Sequence, residues 1–175
     1  MSSLPVSIRV AQAIGLTGAA FLAGNITSFA LNVIPSLRNS RTKDNVPAQT
    51  IAKQWTHMYH YGKTQNPPIS VVSAAALGYV AWSVRSGTEL AKLVPRNASP
   101  LYAASAVLIM AIAPYTVVFM TATNDRLHAH AAATEKTTAA EKNIEELLKK
   151  WDSLNLIRGL LPLAAAALGM IAVLG

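Results

Sequence analysis

Four stretches of this chain carry no charged residue: those between Arg9 and Arg38, between Lys63 and Arg85, between Arg96 and Asp125, and after Arg158. They hold 28, 21, 28 and 17 residues. A membrane-spanning helix needs roughly 20 mostly apolar residues, with a usable range of about 17 to 25. A soluble helix of that length keeps a charged face, and none of these stretches has one. Charged residues make up only 13% of the chain, against about 25% in a typical soluble domain. The alternative of an alanine-rich soluble bundle does not account for so uneven a distribution.

The expected fold is all-α: a four-transmembrane-helix bundle forming one integral membrane domain over residues 1–175. The helices are expected at about 6–34, 69–85, 101–124 and 151–174. A short amphipathic loop helix is expected from Pro47 to about Gly62, because proline suits the first helical position, and "QNPP" at 65–68 is expected to end it. An extended amphipathic helix over 134–158 leads into the fourth span, where Pro162 is expected to introduce a kink. The first stretch is too long for a signal peptide and lacks its small-residue cleavage site, so it is expected to stay in the mature chain. There are no cysteines, which excludes disulfides and thiolate chemistry.

The net charge of +7 raises nucleic acid as a partner, but in a membrane protein the distribution of charge carries the information. Arg38, Arg41, Lys43, Lys53 and Lys63 lie between the first two helices, and Arg126, Lys136, Lys142, Lys149 and Lys150 between the last two. The opposite side has Arg9, Arg85, Lys92 and Arg96. The excess of Lys and Arg predicts that both long loops are cytoplasmic, in an intracellular membrane of the endoplasmic-reticulum type. The sequon at Asn97 falls on the other side, with Pro100 directly after it.

Polar residues inside membrane spans are costly and usually face a bundle interior or cavity. Asn25, Ser28 and Asn32 share an i, i+3, i+7 spacing, as do Thr121, Asn124 and His128. Trp151, Asn155 and Arg158 are spaced i, i+4, i+7, as are Trp55, Tyr59 and Gly62. Each set lies on one helix face, and all fall toward the expected cytoplasmic side, which predicts one polar-aromatic pocket. Plainer readings exist for each set. Asn25 and Ser28 could be interhelical glue, and Trp55 and Trp151 interfacial belt residues. Arg158 could snorkel to lipid phosphate. His128 and His130 could be ordinary helix-end residues. The glutamates of "EKNIEELLKK" read as a solvated face with Glu145–Lys149 and Glu146–Lys150 pairs.

"QWTHMYHYG" at 54–62 invites a metal reading. His57 and His60 could share an ion, but a stable site wants three or four ligands, and His128, Asp125 or Glu135 would have to complete it. No HExxH-like spacing exists, and the expectation is that there is no metal site. On a helical wheel Trp55, Tyr59 and Gly62 fall within about 60° of one another, whereas His57 and His60 lie about 200° and 140° round from Trp55.

Together with "NPP", "APYTVVFMTATNDRL" and "WDSLNLIRGLLPLAAAALGM", that stretch resembles the anthrone oxygenase family of fungal polyketide pathways, small four-helix membrane proteins. The elements are Trp55, Tyr59 and Gly62; Pro114, Thr116, Thr123, Asn124 and Leu127; and Trp151, Asn155 and Arg158, with Ala122 standing where proline is expected. The resemblance implies oxidation of an anthrone to an anthraquinone with O2 as co-substrate, no other cofactor, an aromatic polyketide substrate, a lipid bilayer setting and no nucleic acid. A homo-oligomer is left open. By this reading Arg158, Asn155 and Asn124 stabilise phenolate oxygens, and Trp55, Tyr59, Trp151 and Asn25 line the substrate site. His57 or His60 is the base, since histidine titrates near neutral pH. Two other classes remain open at this point: an iron- or haem-dependent membrane oxidoreductase using His57 and His60, and a non-enzymatic tetraspan protein.

Overall fold

The computed structural model describes residues 4–133 and 138–175, and among them every regular element is helical. Helix α1 (Val6–Ser28) passes through a π-helical turn, Phe29–Val33, into α2 (Ile34–Thr42). Helix α3 covers Ala48–Ser83, and a 3-10 turn follows at Glu89–Leu93. Helices α4 (Ala98–Met110) and α5 (Ile112–Tyr115), a second π-helical turn (Thr116–Met120) and α6 (Thr121–Ala132) form one run, and α7 covers Thr138–Leu174. Three helical runs are long and apolar enough to cross a membrane: Val6–Thr42, Ala98–Ala132 and Asn143–Leu174. The stretch expected as the second span falls largely within α3, which is not among those three. Its apolar part carries Ser70, Ser73 and Ser83 and opens on Pro67 and Pro68.

The expected break at "QNPP" does not occur, and the stretches expected as loop helix and second span lie on one continuous helix. A proline inside a soluble helix costs about 3 kcal/mol or more, which is why the sequence reads as a stop. The carbonyls that Pro67 and Pro68 deprive of an amide partner are those of Lys63 and Thr64, and the helix continues past them. The nearby hydroxyls bond other carbonyls: Ser70 donates to Asn66 at 2.9 Å, and Thr64 to His60 and Tyr61 at 3.0 and 3.1 Å. Pro35 does not end the first helix either. It lies at the start of α2, directly after the π turn, where the helical hydrogen-bond pattern changes register. The i→i+5 bonding of a π turn also shifts the helix register. Asn32, inside that turn, is exposed rather than on the face of Asn25. Residues 134–137, with Glu135 and Lys136, lie outside the described residues, so the amphipathic helix expected from 134 is described from Thr138.

The chain divides into two compact units. The first contains residues 1–24, 66–113 and 159–175. Its helices meet through small residues, as apolar bundles do when hydrophobicity alone gives no drive to associate. A Cβ on Gly18 would collide with Ser73 Oγ, and one on Gly15 would lie 2.5 Å from Leu77 Cγ. Gln12 Nε2 donates to the buried Tyr102 hydroxyl at 2.7 Å, linking α1 to α4. Outward-facing Val10, Ile14, Phe21, Val71, Val72, Val107, Leu163 and Ile171 are exposed, as lipid-facing residues would be.

The second unit contains residues 25–65 and 114–158. Its core gathers Ile34, Ile51, Trp55, Met58, Met120, Leu127, Ile144, Leu147, Leu148 and Trp151. Each helix contributes a stripe at i, i+3, i+4 or i+7, the period of a half-buried helix. Arg38 of α2 pairs with Glu145 of α7 at 3.4 Å, and Glu145 also pairs with Lys149 at 3.1 Å. Gln49 donates to the Ala133 carbonyl, tying the start of α3 to the end of α6.

Candidate functional site

The polar and aromatic residues singled out by their spacing collect in the second unit. Trp55 is fully buried at its centre. The Tyr59 ring stacks on it at 5.1 Å and 20°, while the Trp151 and His128 rings meet it edge-on at 5.8 and 5.0 Å. Tyr59 and His128 also touch each other edge-on at 5.2 Å. Such edge and offset contacts each stabilise by about 0.5–1.5 kcal/mol beyond area burial, so the four rings fix one another. The two tryptophans, 0% and 1% exposed, are covered on all sides. Tyr59 and His128 are half-buried and form the accessible part of the cluster.

Amide side chains hold this arrangement. Trp151 Nε1 donates to Asn124 Oδ1 at 2.9 Å, and Asn124 Nδ2 reaches the Tyr59 hydroxyl at 3.5 Å. One helical turn beyond Trp151, the fully buried Asn155 donates from Nδ2 to the Ile26 carbonyl at 2.7 Å. Its Oδ1 accepts from Arg158 Nη2 at 2.5 Å, and Arg158 Nη1 donates to Thr116 Oγ1 at 3.2 Å. The π turn beginning at Thr116 follows Pro114 and brings that hydroxyl to the guanidinium. The Tyr59 and Tyr115 hydroxyls lie within electrostatic range of Arg158, and Tyr115 also donates to the Leu154 carbonyl at 3.2 Å.

Arg158 is the most informative group in the cluster. Arginine stays charged in proteins, and a buried charge is costly unless paired. Among the described residues no carboxylate pairs with it, its partners are an amide and a hydroxyl, and its Nε is buried with no hydrogen-bond partner. The Trp55 indole nitrogen is likewise buried and unpartnered. The arrangement holds a positive charge with spare donor capacity beside aromatic surface, which suits a flat organic anion.

The structure thus brings together Trp55, Tyr59, Asn124, Trp151, Asn155 and Arg158. Asn25 is half-buried in the same unit, and its carbonyl accepts from Ser28. His57 and His60 are exposed and do not enter the cluster. Thr121 is exposed as well, its hydroxyl bonded to the Val117 carbonyl at 2.8 Å. Among the described residues no three His, Asp or Glu side chains gather as a metal ion's ligand set would require, and Glu135 lies outside them. Sequence reasoning passed over Tyr115 and Thr56, and it left His128 between a site face and a helix end. The available signal for His128 was its position one turn after Asn124, on the same face.

A sequence model of the family described as anthrone oxygenase matches residues 55–168. The chain is 35% identical to an anthrone oxygenase of Aspergillus fumigatus, over 99% of this chain and 96% of that protein. It is 31% identical to an anthrone oxygenase of Claviceps purpurea, over 94% and 87%, respectively. A noranthrone monooxygenase of Aspergillus flavus is 34% identical, over 91% of this chain and 71% of that protein. No solved structure matches the chain.

Proposed function

This chain belongs to the anthrone oxygenase family, and on that premise we propose that it oxidises a polyketide anthrone to the corresponding anthraquinone with O2, using the cluster around Arg158. The observation that carries the assignment of the site is the carboxylate-free, partly unpartnered guanidinium beside a packed aromatic cluster.

The chemistry follows from the substrate. The methylene of an anthrone is acidic because its conjugate base is an aromatic, phenolate-like anion. Loss of the methylene proton moves negative charge onto the ketone oxygen across the ring. That anion gives one electron to O2, forming a carbon radical and superoxide. Their recombination makes a C–O bond and, after protonation, a hydroperoxide, and loss of water leaves the quinone carbonyl. The sum is anthrone plus O2 to anthraquinone plus water. The substrate anion is itself the reductant, which supports a reaction needing no cofactor besides O2.

The protein's part is to favour the anion and hold it. Donors aimed at a developing oxyanion are worth about 2.7–4 kcal/mol each in the transition state. Arg158 supplies that donor. Asn155 spends both ends of its amide on Arg158 and the Ile26 carbonyl, so it positions the guanidinium rather than meeting substrate. Asn124 does the same for Trp151 and Tyr59. Tyr59 and Tyr115 offer the aromatic contact a tricyclic ligand needs, while the covered Trp55 and Trp151 set its shape from behind.

The setting is a bilayer, through which an apolar polyketide reaches the site. The three apolar runs, with the 69–83 portion of α3 as a fourth span, support a four-helix membrane bundle, its two long basic loops cytoplasmic in an intracellular membrane. The test is direct. Purified protein in detergent, given an anthrone such as emodin anthrone in air-saturated buffer with chelator, should raise quinone absorbance well above the protein-free rate. A rate equal to that background refutes the assignment.

A further inference from the structure

We infer that His128 is the base that removes the methylene proton. This rests on the proposed reaction and names the residue that begins it. Four facts converge on this imidazole. It is half-buried at the accessible side of the aromatic cluster, in edge contact with Trp55 at 5.0 Å and Tyr59 at 5.2 Å. Its Nδ1 is 3.3 Å from Thr56 Oγ1, on the facing helix. Its own helix carries Asn124 one turn earlier, whose amide holds Trp151. The alternatives among the described residues of this unit are placed differently: His57, His60, Asp125 and Glu146 are exposed, Glu145 is occupied by Arg38 and Lys149, and His130, half-buried as well, lies about 200° around α6 from His128. Asp152 has a buried, unpartnered oxygen but lies about 100° around α7 from Trp151, off the face of Asn155 and Arg158.

The Thr56 contact defines which nitrogen acts. When Nδ1–H donates to the threonine oxygen, Nε2 carries the free lone pair, and the partner of one ring nitrogen fixes the role of the other. Nε2 takes the proton as the C–H bond breaks, and the bonding pair delocalises to the ketone oxygen. The resulting imidazolium keeps its bond to Thr56. Base and oxyanion donor must sit on opposite sides of the central ring, because the methylene and the ketone are across it from each other. His128 on α6 and Arg158 on α7 supply two groups from different helices for those two positions.

The test separates proton removal from oxygen chemistry. Under anaerobic conditions in D2O, the methylene of the anthrone exchanges hydrogen for deuterium each time it is deprotonated and reprotonated. Wild-type protein should accelerate this exchange over buffer. His128→Gln should reduce the accelerated rate by about 100-fold or more, the usual span of a general base, while anthraquinone still quenches tryptophan fluorescence. Added imidazole should restore part of the exchange in His128→Ala, which a purely structural histidine would not allow. Thr56→Val, close in size to the native residue, should lower exchange by about tenfold through misplacement of the ring. Wild-type exchange in His128→Gln overturns the inference, whichever other residue then proves necessary. Should the His128 variants fail to bind anthraquinone, unchanged exchange in Thr56→Val overturns it. Failure of wild-type protein to form quinone in air would instead refute the parent assignment, so the two failures are distinguishable.

Discussion

The Trp151–Asn124 hydrogen bond offers a double-mutant cycle with a definite sign. Both residues are buried, 1% and 4% exposed, and the bond is 2.9 Å long. In Trp151→Phe the Asn124 oxygen loses its donor, and an orphaned buried polar group costs about 1–3 kcal/mol. The smaller ring adds about 1 kcal/mol of lost packing. In Asn124→Leu, which nearly conserves volume, the indole N–H is orphaned instead, at a similar cost of about 1–3 kcal/mol. The second amide contact, to Tyr59 at 3.5 Å, is at the limit of hydrogen bonding and adds little. The double variant orphans neither group, so it should be more stable than the sum of the single effects implies, by about 1–2 kcal/mol. Reversible unfolding by SDS in mixed micelles, followed by circular dichroism, measures all four corners. Additivity within about 0.5 kcal/mol would show that this bond does not hold the cluster together.

Other consequences follow from the same contacts. Gly18→Ala should destabilise by about 1–3 kcal/mol through overpacking, since its Cβ would collide with Ser73 Oγ. Ser73→Ala in the same chain should recover part of that loss, since Ser73 Cβ would still lie 3.0 Å from the added methyl, and the SDS midpoint reads both changes. Glu145→Gln should cost no more than about 1 kcal/mol, because the Arg38–Glu145 pair is 32% and 38% exposed at 3.4 Å. Added salt should shrink that difference further. Asn155→Leu should lower quinone formation by about tenfold or more by releasing the guanidinium, with substrate binding less affected than turnover.

How much could be read from the sequence depended on whether the local helix kept a regular period. Trp151, Asn155 and Arg158 lie on one uninterrupted stretch of α7, and their spacing alone places them on one face. Trp55 and Tyr59 do the same on α3, while His57 and His60, named from the sequence as candidate bases but on another face of the wheel, are exposed. The face predicted for Asn25, Ser28 and Asn32 failed at Asn32, because the π turn at Phe29–Val33 changes the register in a way that composition does not announce. Pro67 and Pro68 read as a stop because helix propensities describe a helix in water. In the folded chain α3 nevertheless runs through both prolines without a break. The Thr56–His128 contact and the Arg158–Thr116 bond join residues 72 and 42 positions apart. Long-range pairs of that kind leave no periodic trace, so the sequence put His128 on the face of Asn124 without showing its contact with Thr56.

The central claim is that the guanidinium of Arg158 stabilises the anion of an anthrone during its oxidation. Steady-state quinone formation by wild-type, Arg158→Lys and Arg158→Met proteins, in detergent with chelator, tests it most directly. Methionine keeps the length and apolar stem of the side chain but removes the charge and both hydrogen bonds. The account predicts a fall in kcat of about 10²–10³-fold for Arg158→Met. For Arg158→Lys it predicts a smaller fall, since a single ammonium cannot reproduce the planar fork that spans Thr116 and Asn155. Wild-type kcat in Arg158→Met, with the protein folded and binding substrate, would contradict it.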